Sequence, residues 1–243
     1  GDDRFVFEQA DGVKPIDLGM KDMFGSSPKT VMTDSTKHHK YKAVKTDAAK
    51  LNEYIETVLQ IEGVACKDWL TNKVDRSVTG KIARQQCQGE IQLPLSDCGV
   101  VALDYTGNSG IATSIGHAPQ AGLIDPAAGS VLSITEALTN IVGANLNGGL
   151  KAVSLSANWM WPCRNEGEDA GLYRAVKACS DFACSLGINI PTGKDSLSMT
   201  QKYGNKKVIA PGTVIISAGG EVCDVKKTVS PVLQQKKSRL YYI

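Results

Sequence analysis

The sequence predicts a mixed α/β sandwich, and three of its features support that prediction. Apolar strand-like runs recur along the chain, and the run at 100–103 is the clearest. A glycine-containing turn at 107–110 joins that run to a second one at 111–115, which is typical of a hairpin. A long helical pattern follows at about 166–186. Strands that alternate with both helices and hairpins predict a mixed sheet rather than a purely parallel one.

The first element with a clear periodicity is a helix that begins at Thr46. The Thr46 side chain can cap the helix N-terminus, and Gly63 is expected to end the helix. Its apolar side chains recur at spacings of three and four residues: Leu51, Tyr54, Ile55, Val58 and Leu59. The predicted hairpin follows this helix along the chain.

The second half of the chain alternates between helix and strand. Residues 133–146 predict a helix that ends at a glycine turn, and a strand is expected at 152–155. The long helix at 166–186 has Gly187 as its expected stop. Two further strands are predicted at 208–210 and 213–216.

Length and charge restrict the class of protein. The 243 residues suit one large domain or two small ones, and 42% hydrophobic residues are enough for a sizeable core. The formal net charge of +2 argues against a nucleic-acid partner. No apolar run is long enough for a membrane span, and the polar start is unlike a signal peptide. We therefore expect a cytoplasmic protein with no nucleic-acid and no membrane partner.

The cysteines agree with a reducing compartment. There are seven of them, and no two are spaced as C-x-x-C. The odd number and the spacing disfavour both a disulfide framework and a structural zinc site. We expect most of these cysteines to be buried, reduced thiols.

Several familiar catalytic motifs are absent from the sequence. It contains neither H-E-x-x-H nor G-x-S-x-G, and no cysteine lies in the G-x-C-x-G elbow of a glutamine-hydrolysing amidotransferase. Gly187 and Gly193 precede Lys194, but their spacing is one residue too long for a Walker loop, and Asp195 replaces its hydroxyl residue. Residues 193–196 still offer a flexible backbone, a cation and a carboxylate after a predicted strand.

Oxygen ligands for a hard cation occur in a predicted helix and before a predicted strand. Glu136 and Asn140 are four positions apart, so both side chains project from one helix face. Asp97 precedes the strand at 100–103. These oxygens could together bind magnesium. Ser133 and Glu136 also form a capping-box pattern, in which Glu136 would only satisfy the start of the helix.

Two charged segments are open to more than one interpretation. Residues 75–80 combine charges, hydroxyl groups and a glycine before a predicted helix, whose free amides would attract phosphate. The alternative is an ordinary capped helix start. Glu166, Glu168 and Asp169 mark the first turn of the long helix, where a favourable interaction with the helix dipole is their simplest role.

The order and spacing of these segments closely resemble one family. The matching segments extend over almost the whole chain: 75–80, 83–84, Gly116, 136–140, 156–160, 168–173 and 193–199. Together they are similar to the large-type phosphoribosylformylglycinamidine synthase (formylglycinamide ribonucleotide amidotransferase) family, whose members are ligases of purine biosynthesis. The resemblance implies an aminoimidazole ribonucleotide synthetase N-terminal-like domain, in which helices cover one face of the mixed sheet.

The resemblance also implies a domain organisation. Residues 1–35 are similar to the tail of a preceding C-terminal-type domain with a linker, 36–225 to the N-terminal-type domain of the second pseudo-symmetric half, and 226–243 to the beginning of a downstream domain. We therefore expect a fragment of a longer enzyme, whose partners are the first synthetase half and the glutaminase domain. The uncovered sheet face of the isolated fragment would favour a homodimer.

For cofactors, the resemblance implies magnesium with ADP or ATP at an auxiliary nucleotide site. The matching residues are Lys67 and Ser96 at the nucleotide, Asp97, Glu136 and Asn140 at magnesium, and Gly193, Lys194 and Ser196 in a loop that reaches ATP and substrate in smaller relatives. The match favours metal binding over capping for Glu136. No catalytic residue is expected in this chain, because the family's catalytic histidine and principal ATP loop have no counterpart in it.

The resulting hypothesis is a fragment of the ligase that converts formylglycinamide ribonucleotide to formylglycinamidine ribonucleotide with ATP and glutamine. We expect the fragment to supply the auxiliary nucleotide site and one side of a pseudo-dimer, and to be inactive alone. Two alternatives remain, namely a free-standing nucleotide-binding module and another ATP-dependent synthetase of the same superfamily.

Overall fold

The chain divides into two compact units, residues 1–33 and 34–243. The computed structural model describes residues 2–38, 40–71, 80–239 and 241. In the smaller unit, strand β1 (Arg4–Phe7) pairs antiparallel with β2 (Ile16–Gly19), and helix α1 (Met20–Phe24) follows. An ion pair between Arg4 and Asp17 joins the two strands, with Nη2 2.6 Å from Oδ1.

The larger unit consists of a mixed sheet, two short hairpins and several helices. Its helices are α2 (Leu51–Leu59), α3 (Asp68–Thr71), α4 (Pro119–Ile124), α5 (Pro126–Ile141) and α6 (Glu168–Leu186). Its strands are β3 (Ile82–Arg84), β4 (Cys87–Gln88), β5 (Leu93–Pro94), β6 (Cys98–Ala102), β7 (Gly110–His117), β8 (Ser154–Met160), β9 (Asn189–Ser196), β10 (Thr200–Tyr203), β11 (Lys206–Ile209) and β12 (Thr213–Val222).

Six of these strands form one sheet in the order β3-β6-β7-β12-β8-β9. Strands β8 and β9 run parallel, whereas every other neighbouring pair is antiparallel. The predicted mixed sheet is therefore confirmed. The remaining strands of the unit pair as the hairpins β4–β5 and β10–β11.

Helices cover one face of this sheet. Along β7 the residues alternate between buried and exposed, so that Ala112, Ser114 and Gly116 face the helices and Ile111, Thr113 and Ile115 face away from them. Helix α5 lies against β7 and β12, and α6 lies against α5. The core between these layers includes Val100, Ile134, Ile141, Leu155 and Ile216. The predicted helical layer on a single face is also confirmed.

The closest approach of α5 to the sheet is at Gly116. A Cβ atom on this residue would lie 2.2 Å from the carbonyl oxygen of Ser133 and 2.4 Å from the backbone nitrogen of Ala137. Real side chains do not tolerate such contacts, so the absence of a side chain here lets the helix lie directly on β7. Glu136 belongs to the turn of α5 that makes this contact, since its own Cβ would be 3.0 Å from the added atom.

Several predicted elements are correct, but their limits differ. Residues 103–109 join β6 and β7 as a hairpin, and α6 ends at Gly187, which has the left-handed φ of 68°. Helix α5 begins at Pro126 rather than at residue 133, because Asp125 caps it by accepting from the Ala127 amide at 3.1 Å and Pro126 starts it. Asp47 rather than Thr46 caps the turn that leads into α2, which ends before Gly63.

The cysteines agree with one further expectation. The seven cysteines are free thiols, and four of them are buried: Cys87, Cys98, Cys163 and Cys179. Burial raises the pKa of Cys179 to about 11, so this thiol is unreactive at neutral pH. Within the described ranges, no helix combines the length and the apolar character needed to cross a membrane.

Candidate functional site

The candidate site lies where β6 ends and β7 continues beyond it. Cys98, the first residue of β6, pairs with Ser114, so Ile115 and His117 extend past the end of the neighbouring strand. Two side chains of α5 bind the backbone groups exposed there. Asn140 Nδ2 donates to the Ile115 carbonyl at 3.0 Å, and the His117 amide donates to Glu136 Oε2 at 2.6 Å. The end of the sheet therefore orients both side chains.

Asp97 approaches the same place from the other side, because it directly precedes β6. Partial burial raises the pKa of Asp97, and the charge of Glu136 raises it further. Two carboxylates repel each other in this partly enclosed space, and a bound cation would stabilise their negative charges. The Asn140 side chain adds an amide oxygen, since its nitrogen is used by Ile115. This set of hard oxygen donors fits Mg²⁺, which ordinarily also keeps waters and binds phosphate oxygens.

These three side chains open onto a cleft of about 960 Å³. Its wall also contains Ser96, His117 and Arg84. The imidazole Nδ1 of His117 is 3.7 Å from Glu136 Oε2. In the part of the chain that the structure describes, no three histidine, cysteine or carboxylate side chains come close enough to enclose a metal. A metal ion bound beside Asp97, Glu136 and Asn140 would therefore need further oxygen ligands in addition to these three side chains.

The capping interpretation of Glu136 is wrong. Ser133 lies well inside α5, where its hydroxyl donates to the Gly129 carbonyl at 2.9 Å, and the helix begins at the Asp125 cap instead. Glu136 thus has no amide of a helix start to satisfy. Its backbone partner is the His117 amide at the end of β7.

The predicted nucleotide residues lie in different places. Ser96 lines the cleft, where its hydroxyl donates to the Cys98 carbonyl at 3.1 Å and its amide donates to the Gln86 carbonyl at 3.0 Å. Lys67 donates through Nζ to the carbonyls of Ala65, at 3.0 Å, and Glu62. Among the described residues, the wall of the cleft does not include Lys67.

Residues 193–196 form part of a strand and not the predicted loop. Each pairs in parallel register with β8, and Gly193 lies so close to Ala157 that a Cβ would be 2.4 Å from its carbonyl oxygen. Lys194 Nζ donates to the Ser196 hydroxyl at 2.7 Å. Strand β9 is four places from β6 in the sheet, roughly 19 Å at about 4.8 Å per strand. The structure therefore keeps this segment apart from Asp97.

The two ambiguous charged segments have different outcomes. Residues 75–79 lie outside the described residues, and the helix predicted to follow residue 80 is wrong, because Ile82–Arg84 form strand β3. Glu168 and Asp169 occupy the first turn of α6, as expected, whereas Glu166 precedes the helix and pairs with Lys37 at 2.9 Å. The amides of this helix start are bound by Asp34, whose carboxylate accepts from Gly167 and Asp169 at 3.1 Å and from Ala170 at 3.3 Å. Asp34 could not be recognised from the sequence, because 133 residues separate it from Gly167.

Arg84 is a second residue that sequence reasoning did not assign. It belonged to a family-like segment, but no role was predicted for it. In the structure its guanidinium donates to Gln88 Oε1 at 2.6 Å and to the Thr228 carbonyl at 2.8 Å. Arg84 therefore joins the wall of the cleft to the segment that follows β12. No local pattern could indicate a contact across 144 residues.

Fold and site together define a class of protein. It is an α+β domain in which helices cover one face of a mixed sheet, and oxygen ligands gather at the end of one strand beside a large cleft. Comparison with known families agrees with this description. Residues 66–221 match the FGAR-AT PurM_N-like domain, and the chain belongs to that family.

Individual relatives extend beyond this domain. The chain is 39% identical to human phosphoribosylformylglycinamidine synthase over 226 residues, which is 93% of the chain but 17% of the human protein. It is similar in fold to the PurLQS structure from Thermotoga maritima, with a TM-score of 0.62 and 14% identity. The T. maritima PurL structure complexed with ATP gives a TM-score of 0.55, also at 14% identity. The chain spans about a third of each of these structures.

Proposed function

We propose that this chain is part of a phosphoribosylformylglycinamidine synthase, a ligase of purine biosynthesis, and that it supplies a magnesium–nucleotide site to that enzyme. Membership of the FGAR-AT PurM_N-like family and the similarity to the human synthase support the parent activity. The observation that carries the site is the convergence of Asp97, Glu136 and Asn140 at the end of β6. The ATP complex of the Thermotoga relative supports a nucleotide as the ligand.

The proposed roles of the residues follow from their chemistry. Asp97, Glu136 and Asn140 hold Mg²⁺ through oxygen atoms, and Ser96 and Lys67 belong to the nucleotide-binding surface. Magnesium, when bound, neutralises phosphate charge next to the two carboxylates. Gly193, Lys194 and Ser196 are assigned to a separate surface on the opposite edge of the sheet, for ATP or substrate held by another domain. None of these residues is proposed to be catalytic.

The whole enzyme would use ATP to activate the amide oxygen of formylglycinamide ribonucleotide as a phosphate leaving group. Ammonia from glutamine would then form the new C–N bond, and phosphate would leave to give the amidine. The first synthetase half and the glutaminase domain are the proposed partners for these steps, in the cytoplasm. We expect the 243-residue chain to be inactive alone.

The proposed domain organisation places 36–225 as one half of a pseudo-dimer, preceded by the tail of a C-terminal-type domain in 1–35 and followed by the beginning of a downstream domain in 226–243. The exposed residues of β7 support a pairing face on the side of the sheet that the helices leave uncovered. The same face would allow the isolated chain to form a homodimer.

Calorimetric titration of the chain with ADP and Mg²⁺ tests the proposed site. The expected result is Mg²⁺-dependent binding that Glu136→Gln abolishes, because the glutamine keeps a hydrogen-bond acceptor for His117 but removes the negative charge. Glu56→Gln, in the exposed helix α2, is the matched control and should bind like the unmodified chain. Equal binding by the Glu136 variant, or binding that does not need Mg²⁺, would reject the assignment.

A further inference from the structure

A smaller cavity of about 250 Å³ adjoins the cleft, and the proposed function gives it no role. It shares Arg84, Ser96, Asp97 and Asn140 with the cleft, and its far wall is formed by residues 228–231. Its volume equals roughly eight waters at about 30 Å³ each. It is therefore large enough to take a tetrahedral oxyanion.

Two residues that line this cavity, Arg84 and Thr228, each carry an enclosed polar atom that has no hydrogen-bond partner among the residues that the structure describes. The atoms are Nε of Arg84 and the hydroxyl oxygen of Thr228. Thr228 is 8% exposed, so water does not compensate its hydroxyl from outside. Buried polar groups are nearly always paired, and two exceptions in one wall indicate a missing partner.

The chemistry of the two groups defines that partner. The guanidinium of Arg84 can only donate, and it is suited to phosphate and carboxylate oxygens. The Thr228 hydroxyl can also donate. An oxygen-rich anion satisfies both donors.

We propose that Arg84 and Thr228 form a phosphate subsite beside the Asp97–Glu136–Asn140 cluster, which receives a terminal phosphate of the nucleotide. This inference rests on the proposed magnesium–nucleotide site. Both donor atoms are enclosed, so the anion reaches them when the guanidinium exchanges its contacts with Gln88 and with the Thr228 carbonyl for phosphate oxygens.

The subsite also requires the cation. Asp97 lines this cavity and Glu136 lines the adjoining cleft, and their negative charges repel a phosphate as long as no metal stands between them. Phosphate binding is therefore expected to depend on Mg²⁺. Adenosine carries no phosphate, so its affinity should not depend on Arg84 or Thr228.

The test compares Thr228→Val and Arg84→Gln with a matched control, Thr139→Val. Thr139 lines the same cavity, but its hydroxyl is already committed to the carbonyls of Thr135 and Glu136, each at 3.0 Å. Binding of pyrophosphate, ADP and adenosine to the 243-residue chain is measured by calorimetry, with and without Mg²⁺. Urea unfolding without ligand provides a second measurement.

The expected result has two opposite parts. Thr228→Val leaves the stability of the ligand-free chain unchanged or raises it, because it removes a hydroxyl that has no partner. The same variant weakens Mg²⁺-dependent binding of pyrophosphate and ADP by up to about tenfold, and Arg84→Gln weakens it by about tenfold or more. Thr139→Val leaves both affinities unchanged.

Any other result contradicts either the phosphate subsite or the proposed magnesium–nucleotide site. If the unmodified chain binds Mg-ADP and both variants bind it equally well, the phosphate subsite is wrong and the proposed function stands. If the chain binds Mg-pyrophosphate but not ADP, the subsite stands and the nucleotide assignment is wrong. If the chain binds neither, both are wrong. A loss of ligand-free stability in Thr228→Val would show that its hydroxyl is paired, and would also overturn the subsite.

Discussion

At the scale of single residues, Glu136 combines a structural task with the proposed metal task. Its carboxylate accepts the His117 amide at the end of β7, and the repulsion between Glu136 and Asp97 creates the demand for a cation. The two tasks differ in what they need. The hydrogen bond needs only an acceptor oxygen, whereas metal binding needs negative charge.

This difference separates two substitutions of Glu136. Glu136→Ala should lower the free energy of unfolding by about 1 kcal/mol relative to Glu136→Gln, because only alanine leaves the His117 amide without its acceptor. Urea unfolding of both variants without Mg²⁺ measures the difference. Equal stabilities would mean that water replaces the carboxylate at no cost.

Asp34 provides a second residue-scale prediction, which concerns pH. Hydrogen bonds from the backbone of Ser35, and then from Gly167, Ala170 and Asp169, lower the pKa of the Asp34 carboxyl below its ordinary value of 3.8. A lowered pKa in the folded state stabilises the fold above the ordinary value. The contribution is lost as the pH falls through the lowered pKa.

Amide chemical shifts of Gly167 and Ala170 report this titration directly. We expect their midpoint below 3.8 in the unmodified chain, and no such transition in Asp34→Asn, which keeps an acceptor but cannot ionise. A midpoint at or above the ordinary value would show that Asp34 does not hold the start of α6.

The candidate site also shows which residues a sequence can bring together. Glu136 and Asn140 are four positions apart on one helix, and this spacing alone puts them on one face. Asp97 joined them because it precedes a predicted strand, and the resemblance to a family supported the same grouping. Arg84 and Thr228 meet because of the tertiary fold, so no local pattern could reveal their contact.

At the scale of elements, sequence reasoning misplaced the start of α5. Apolar periodicity is weak in 126–132, where small residues predominate, whereas the cap is a property of Asp125 and Pro126 alone. Asp125 has a further role, since its Oδ1 is 2.6 Å from Nη2 of Arg174 on α6. One carboxylate therefore starts one helix and ties it to another.

Removal of this carboxylate should destabilise the larger unit. We expect Asp125→Ala to lower the free energy of unfolding by about 1 to 2 kcal/mol, as the sum of a lost cap and a partly exposed ion pair. Asp125→Asn keeps the cap and should lose less than half of that amount. Urea unfolding monitored by circular dichroism measures both, and identical losses would assign the effect to the ion pair.

The contact between α5 and β7 gives a prediction about packing. Gly116→Ala should cost about 1 to 3 kcal/mol, because the added methyl group would overlap the Ser133 carbonyl and push the helix away from the sheet. Gly219→Ala in β12 is the matched control, since no atom lies within 4 Å of its added methyl group. A similar loss in both variants would point to strand propensity instead of close approach.

At the scale of the whole molecule, the sheet of the larger unit has one covered and one uncovered face. Ile115, on the uncovered face, is 58% exposed. We expect the chain to self-associate through this face, with a sedimentation coefficient that rises with concentration, and Ile115→Lys to suppress the rise. Ile124→Lys, at an exposed isoleucine of α4, is the control. Monomeric behaviour at all concentrations, or equal effects of both variants, would contradict this.

The global topology was only partly accessible from the sequence. Alternation of strands, helices and hairpins was enough for the mixed sheet, because those patterns are local. The order of strands was not, because the pairing of β12 between β7 and β8 joins segments far apart in the chain. Residues 193–196 were predicted to form a loop because they contain a glycine and two charged residues. Their pairing with β8 depends on the tertiary fold and cannot be predicted from these residues alone.

The position of β9 at the end of the sheet has a consequence for solubility. Its outer backbone groups have no strand partner among the described residues, and such a strand is a template on which other chains can add and form fibrils. Lys194 and Asp195 place opposite charges on this strand. Charged side chains at a sheet margin hinder the stacking of a foreign strand. Replacement of Lys194 and Asp195 by apolar residues would therefore increase the tendency of this edge strand to pair with other chains and aggregate.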